Sequence, residues 1–236
     1  MSVKQSGIER VGFTDLRGPY GAINIECSLY PSNPQLNAQN LTPALIYIHG
    51  GGYNVGTGDE FENGCRILAE KAGVQVYLAV LNWLRGNGGR DRGVDPDHVF
   101  GGGDSAGGNM TAALSLRLRG EGKRAMAGNV IFEFASNYIR AGVPPSALYI
   151  SPGQHSVPSL KDLPAAAVYT CGLECLRDVD VEFASNWKRL AFRSPGTNTK
   201  PCAMGFLQMV PWSSTAMKAL LQVAQDLRDT IKSGQK

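Results

Sequence analysis

The run Gly103-Asp104-Ser105-Ala106-Gly107 sets a serine between flanking glycines. A serine hydroxyl is a poor nucleophile until a neighbouring base removes its proton. The pattern G-x-S-x-G suits a strand that ends at the serine, turns sharply and enters a helix. That turn is too tight for a Cβ on the flanking glycines, and it lifts the serine Oγ toward the helix N-terminus. A second glycine run, His49-Gly50-Gly51-Gly52, closes the apolar segment Ala44–His49. Glycines here let backbone N–H groups approach a carbonyl oxygen. The N–H groups of Gly51, Gly52 and Ala106 would then form an oxyanion hole, a device worth roughly 10²–10³ in rate per donor. His49, Gly50, Gly103, Asp104 and Gly107 support the two loops. The proton acceptor is the open position, because the chain holds three histidines, His49, His98 and His155.

The elements that must carry these groups alternate as β-α-β-α. Ala44–His49 is a short apolar run feeding a loop. Glu60–Ala72 places Phe61, Cys65, Leu68 and Ala69 on one helical face. Val74–Tyr77 is a second strand, and Ala79–Arg85 a helix that stops at Gly86. The DPD run, Asp95–Asp97, turns the chain into a third strand, His98–Gly102. Ala106–Leu118 carries Met110, Leu114 and Leu118 at helical spacing. Val130–Phe134 and Ala166–Thr170 are further strands. Asp178–Leu190 and Ser213–Ile231 are amphipathic helices, the second with Ser213 or Ser214 as N-cap. Residues 193–200 form a Pro/Gly/Asn/Thr loop. These elements imply one α/β domain over 1–236, with an N-terminal segment 1–40 and a core 41–236, built as a mostly parallel central sheet with helices on both faces.

Composition narrows the function classes. A net charge of +3 with scattered Lys and Arg gives no basic stripe for nucleic acid. No apolar run reaches the ~18 residues of a membrane span. The segment MSVKQSGIERVGF lacks the apolar centre of an export signal, so reduced thiols and a cytoplasmic setting are expected for the five cysteines. Cys171 and Cys175 are spaced like a metal clip but have no nearby His or Cys partner, so no metal site is expected.

HGGG followed by GDSAGGN, with VDPDHVFGGGDSAGGNMTAALSLRLR, GLECLRD and GFLQM, resembles the hormone-sensitive-lipase-like branch of the α/β-hydrolases, mostly carboxylesterases. The resemblance runs from about Leu45 to Ile231. It implies the α/β-hydrolase fold, Ser105 as nucleophile and no cofactor. In the family's acidic segment this chain reads Gly172-Leu173-Glu174-Cys175, so Glu174 takes the acid's place; a solvated loop carboxylate is the alternative. The family's histidine precedes Gly-Phe, and here Met204 stands there. A thioether has no useful basicity at neutral pH, so the base position is degenerate.

His98 opens the strand that ends near Ser105. At about 3.3 Å per residue it sits roughly 20 Å away, in a structural role. His49 belongs to the oxyanion motif, where the family uses it to support the loop. His155, in SPGQHSVPS, is the candidate substitute base, or else a surface histidine.

The segment that family members carry after the strand here written VQVYL is missing, and ASNYIRAGVPPS replaces longer cap-forming insertions. RSPGTNTKPCA shows no β pattern where a strand is expected. A reduced cap and an open pocket follow. Two function classes fit. One is a hydrolase of small carboxylic esters, weakened by the missing base. The other is a ligand-binding pseudoenzyme, as in plant gibberellin receptors that kept the serine and lost the histidine, or a biosynthetic tailoring protein using the old pocket. Either takes a small-molecule ester or hydrophobic ligand.

Overall fold

Side chains two apart on a strand face the same way, and β3 (Thr42–Ile48) uses this to serve two cores. Leu45 and Tyr47 join one apolar cluster, while Ala44 and Ile46 join another on the opposite face. The computed structural model describes residues 9–18, 21–30, 41–53, 55–77, 81–134, 149, 152, 155–171, 177–187, 190–192 and 205–234. Within them an eight-stranded sheet runs in the order β1-β2-β4-β3-β5-β6-β7-β8. Its other strands are β1 (Glu9–Gly18), β2 (Gly21–Tyr30), β4 (Gln75–Tyr77), β5 (Val94–Ser105), β6 (Asn129–Phe134), β7 (Ala166–Tyr169) and β8 (Leu190–Phe192). β2 pairs antiparallel with β1 and β4, and from β4 to β8 every neighbouring pair is parallel.

Parallel neighbours require crossovers, and helices supply them. α1 (Glu62–Ala72), entered by a 3-10 turn at Gly58–Phe61, links β3 to β4. α2 (Leu81–Arg85) and α3 (Asn87–Arg90) lead to β5. α4 (Ala106–Gly120) leaves β5, and α5 (Arg177–Asn186) precedes β8. The chain closes with α6 (Phe206–Met209) and α7 (Ser214–Gly234). α1 and α7 cover one face of the sheet, packing on Leu45, Tyr47, Phe100, Val130 and Tyr169. α4 and α5 cover the other through Ala112, Leu116, Phe183 and Trp187 on Ile131 and Val168. No helix among the described residues is long and apolar enough to cross a membrane.

Helix ends follow local chemistry. Gly73, at φ 70°, closes α1 by donating its N–H to Ala69 O at 3.1 Å, a left-handed ending that glycine adopts without strain. The Ala216 N–H donates to Ser213 Oγ at 3.2 Å, so Ser213 is the serine that caps α7. In α7 the buried residues Ala216, Ala219, Leu220, Val223, Ala224, Leu227 and Ile231 recur at three- and four-residue steps.

The mostly parallel sheet with helices on both faces is the architecture that the alternating segments implied. Three details differ. Segment 1–40, to which the sequence pattern assigns no element, contributes the β1–β2 hairpin. The third strand begins at Val94, ahead of the DPD run, and extends to Ser105. The helix expected to reach Leu190 stops at Asn186, and Leu190 opens β8 in parallel register with Ala166 of β7. A strand is therefore present just before residues 193–204; three residues are too few to show a period of two. Residues 135–148 and 193–204, which bear on the expected reduced cap, lie outside the described residues.

Adjacent leucines in α7 test this packing. Leu220 is fully buried and Leu221 is 39 % exposed. Leu220→Ala should lower stability by about 2–5 kcal/mol, and Leu221→Ala by no more than about 0.5 kcal/mol, in urea unfolding. Equal shifts would contradict the docking face.

Candidate active site

Ser105 ends β5 and precedes the first residue of α4 with φ 50° and ψ −121°. Such a conformation costs on the order of 1–3 kcal/mol for a residue with a Cβ, so its surroundings must impose it. A Cβ on Gly107 would lie 1.8 Å from Ile48 O, and one on Gly103 would lie 2.5 Å from the same oxygen. Both glycines are required where helix, elbow and β3 converge. Thr111 Oγ1 lies 2.9 Å from both Gly102 O and Gly107 O, tying the end of the strand to the first turn of α4. The Ser105 side chain makes no capping hydrogen bond to its own helix. The first-turn N–H groups of α4, Ala106 among them, have no partner within the helix and turn their positive ends toward the site.

The glycine loop after β3 lies opposite. Gly51 (φ 133°), Gly52 (φ 58°), Tyr53 (φ 66°) and Gly56 (φ 100°) make a turn of left-handed residues. The Val55 N–H donates to Gly51 O at 3.0 Å, and a Cβ on Gly51 would collide with Val55 O at 1.8 Å.

Asp104 joins the two loops. Its Oδ1 accepts the Tyr47 hydroxyl at 2.5 Å and the Gly50 N–H at 2.9 Å, and the residue is only 5 % exposed. A Cβ on Gly50 would sit 2.5 Å from Asp104 Oδ2 and 3.1 Å from Ser105 Cβ, so glycine is what allows the loop to close on the elbow. Burial raises the Asp104 pKa, opposed by the Tyr47 and Gly50 hydrogen bonds and by His49. His49 Nδ1 lies 2.6 Å from Gly50 O. A carbonyl can only accept, so Nδ1 carries the proton. The His49 ring stacks on Phe61 at 5.5 Å between centroids, which fixes the imidazole as a brace for the loop. A further tie joins Asn109 Nδ2, as donor, to the hydroxyl of Tyr53, linking the loop to α4. Burial pushes the Tyr53 phenol up, and the Asn109 contact partly offsets this.

These elements border a cleft of about 490 Å³ lined by Gly50, Gly51, Gly52, Asp104 and Ser105, with Val55, Gly56, Glu60, Phe61, Gly205 and Gln208. The two motifs read from the sequence therefore share one cavity. Ala106 and Gly107 follow Ser105 at the start of α4, and Gly103 precedes Asp104 in β5. His98 Nδ1 meets Asp95 Oδ2 at 2.7 Å near the start of β5. The His155 backbone N–H donates to Pro152 O at 3.3 Å, and the residue is not among those lining the cleft. Glu174, Cys175 and Met204 lie outside the described residues, but Gly205, the next residue after Met204, borders the cleft.

Residue types alone left Tyr47, Tyr53, Asn109, Thr111, Glu60 and Gln208 without roles. A partial signal exists for Tyr47. It sits two residues before His49, on the strand face shared with Leu45, and carries the only hydroxyl of the apolar run ALIYIH.

Residues 77–133 match a family model described as alpha/beta hydrolase fold. The chain has the α/β-hydrolase fold. Among solved structures, the chain is similar to an ester-hydrolase from the metagenome of Lake Arreo, with a TM-score of 0.82, 21% identity and coverage of 96% of this chain and 84% of that one. It is also similar to the hyperthermophilic esterase from the archaeon Pyrobaculum calidifontis, with a TM-score of 0.78, 22% identity and coverage of 97% and 89%. In sequence it is 29% identical over 128 residues to the carboxylic ester hydrolase LipN of Mycobacterium tuberculosis, a match over 46% of this chain. That match spans 33% of the curated relative's length.

Two consequences of this site can be measured. The raised Asp104 pKa means that this group favours folding fully below the ordinary aspartate value of 3.8 and that its contribution is lost as pH rises through the folded-state value. Wild type should therefore lose thermal stability relative to Asp104→Asn as pH rises from about 3 toward neutrality; a gap that stays constant with pH would contradict this. Tyr53→Phe leaves the Asn109 amide without that acceptor and should cost about 1–3 kcal/mol in urea unfolding. An unchanged midpoint would mean that the tie does not hold the loop.

Proposed function

We propose that this protein is a carboxylic-ester hydrolase of the hormone-sensitive-lipase-like branch, acting on small esters through Ser105 with impaired turnover. The observation that carries the reading is Ser105 held at φ 50° on the β5–α4 turn, in one cleft with Gly51 and Gly52. In this mechanism Ser105 Oγ attacks the ester carbonyl carbon as its proton passes to the substitute base. The N–H groups of Gly51, Gly52 and Ala106 hold the negative oxygen of the tetrahedral intermediate. The bond to the alcohol oxygen breaks as that oxygen takes up the proton, and water then cleaves the acyl-serine ester to release the acid and restore the Ser105 hydroxyl. Glu174 would orient a base, but Met204 in the histidine's place has no proton-accepting nitrogen. Loss of one triad member typically removes about 10⁴–10⁶ from kcat and leaves roughly 10³–10⁴ over water. Weak turnover is the expected consequence. His155 is the remaining histidine proposed as a substitute base, since His49 is engaged with Gly50 O and Phe61.

A second reading is a non-hydrolytic binding or tailoring protein that keeps the pocket. It is favoured by one observation: among the described residues lining the cleft there is no histidine.

Hydrolysis of a short p-nitrophenyl ester separates the two. Activity above background that vanishes in Ser105→Ala supports the hydrolase reading, and Met204→His should then raise kcat by orders of magnitude. Equal, near-background rates in wild type and Ser105→Ala would retire it in favour of the binding reading.

A further inference from the structure

Among the described residues, the lining of the cleft beside Ser105 is electrostatically one-sided. The charged side chains among its described lining residues are Asp104 and Glu60, with no Lys, Arg or His. Asp104 is buried, and its Oδ1 is occupied by two donors. Glu60 is exposed, on the 3-10 turn before α1, and its Oε2 accepts Gln208 Nε2 at 3.2 Å. That partner is a neutral amide. The neighbouring Glu62, by contrast, is neutralised by Arg66 at 2.7 Å. Among the described residues Glu60 has no cation paired with it.

The bridge holds the carboxylate in place. Gly205, at φ 74°, immediately precedes α6, and its Cα faces Gln208 Oε1 so closely that a Cβ would lie 3.0 Å from it. The amide oxygen is thereby turned toward Gly205 and the amide nitrogen toward Glu60. α6 itself is pressed on α1, where a Cβ on Gly64 would lie 3.0 Å from Leu207 O. Glu60 and Gln208, both lining the cleft, are thus joined by one hydrogen bond that orients the carboxylate.

We propose that Glu60, oriented by Gln208, makes this cleft selective for ligands that carry a positive charge beside the ester group. The inference names the substrate class of the site proposed above and rests on that reading for the ester; the charge preference itself rests on Glu60 and Gln208. An exposed carboxylate several ångströms from a bound cation contributes a modest, salt-sensitive attraction. The same field disfavours esters bearing a second carboxylate.

Binding to Ser105→Ala protein isolates the preference from chemistry. Ligand-observed NMR titrations at low salt would compare acetylcholine with its uncharged isostere, 3,3-dimethylbutyl acetate. Acetylcholine should bind roughly three- to ten-fold more tightly, the gap should shrink in about 0.5 M salt, and Glu60→Gln in the same background should abolish it. Equal affinities, a gap that persists in Glu60→Gln, or no measurable binding of either ligand would overturn the proposal. Glu60 is exposed, so the variant should keep the wild-type circular dichroism and urea midpoint. Hydrolysis by the wild-type chain is read separately. A charge preference without turnover would sink the esterase reading and leave the ligand class standing, whereas turnover without a charge preference would do the reverse.

Discussion

Everything at the site is hung on one buried carboxylate. Asp104 collects the Tyr47 hydroxyl from β3 and the Gly50 N–H from the glycine loop onto a single oxygen, and it is the residue immediately before the serine. Taking an aspartate out of water is unfavourable unless donors replace the lost hydration, and the two donors come from the two segments whose relative position determines whether an oxyanion could be held near Ser105. The raised pKa reports that the replacement is incomplete. Stability is spent on geometry here.

A chain of short-range fits extends from that anchor. His49 braces Gly50 from one side and rests on Phe61, which brings the 3-10 turn and α1 against the loop. Tyr53 and Asn109 join the far end of the loop to α4. Gly107 lets that helix approach β3 to a distance no side chain would permit. These contacts surround the strained Ser105 turn from β3, the glycine loop and α4.

Much of this was legible from residue types. The parallel sheet core followed from apolar runs alternating with helical periodicity, and the two glycine motifs found each other across 54 positions of sequence. The hairpin β1–β2 did not, because Glu9–Gly18 breaks its apolar alternation with charges and glycines. β8 did not, because three residues cannot display a period. The supporting side chains were invisible for a different reason: a Tyr in an apolar strand or a Thr in a helix is compatible with any packed surface, and only the fold shows that their hydroxyls meet Asp104 and Gly107 O. Glu60 and Gln208 are separated by 148 positions, and no local pattern could pair them.

Strand position has one further consequence. β5, which ends in Ser105, lies between β3 and β6 with parallel partners on both sides, while β8 is a three-residue edge strand paired to β7 alone. Backbone amides of β5 can exchange with solvent only by disrupting the middle of the sheet, whereas β8 can fray by itself. The chain that follows β8 is the one that carries position 204. A change in the chain beyond β8 therefore need not open the central strand that ends at Ser105.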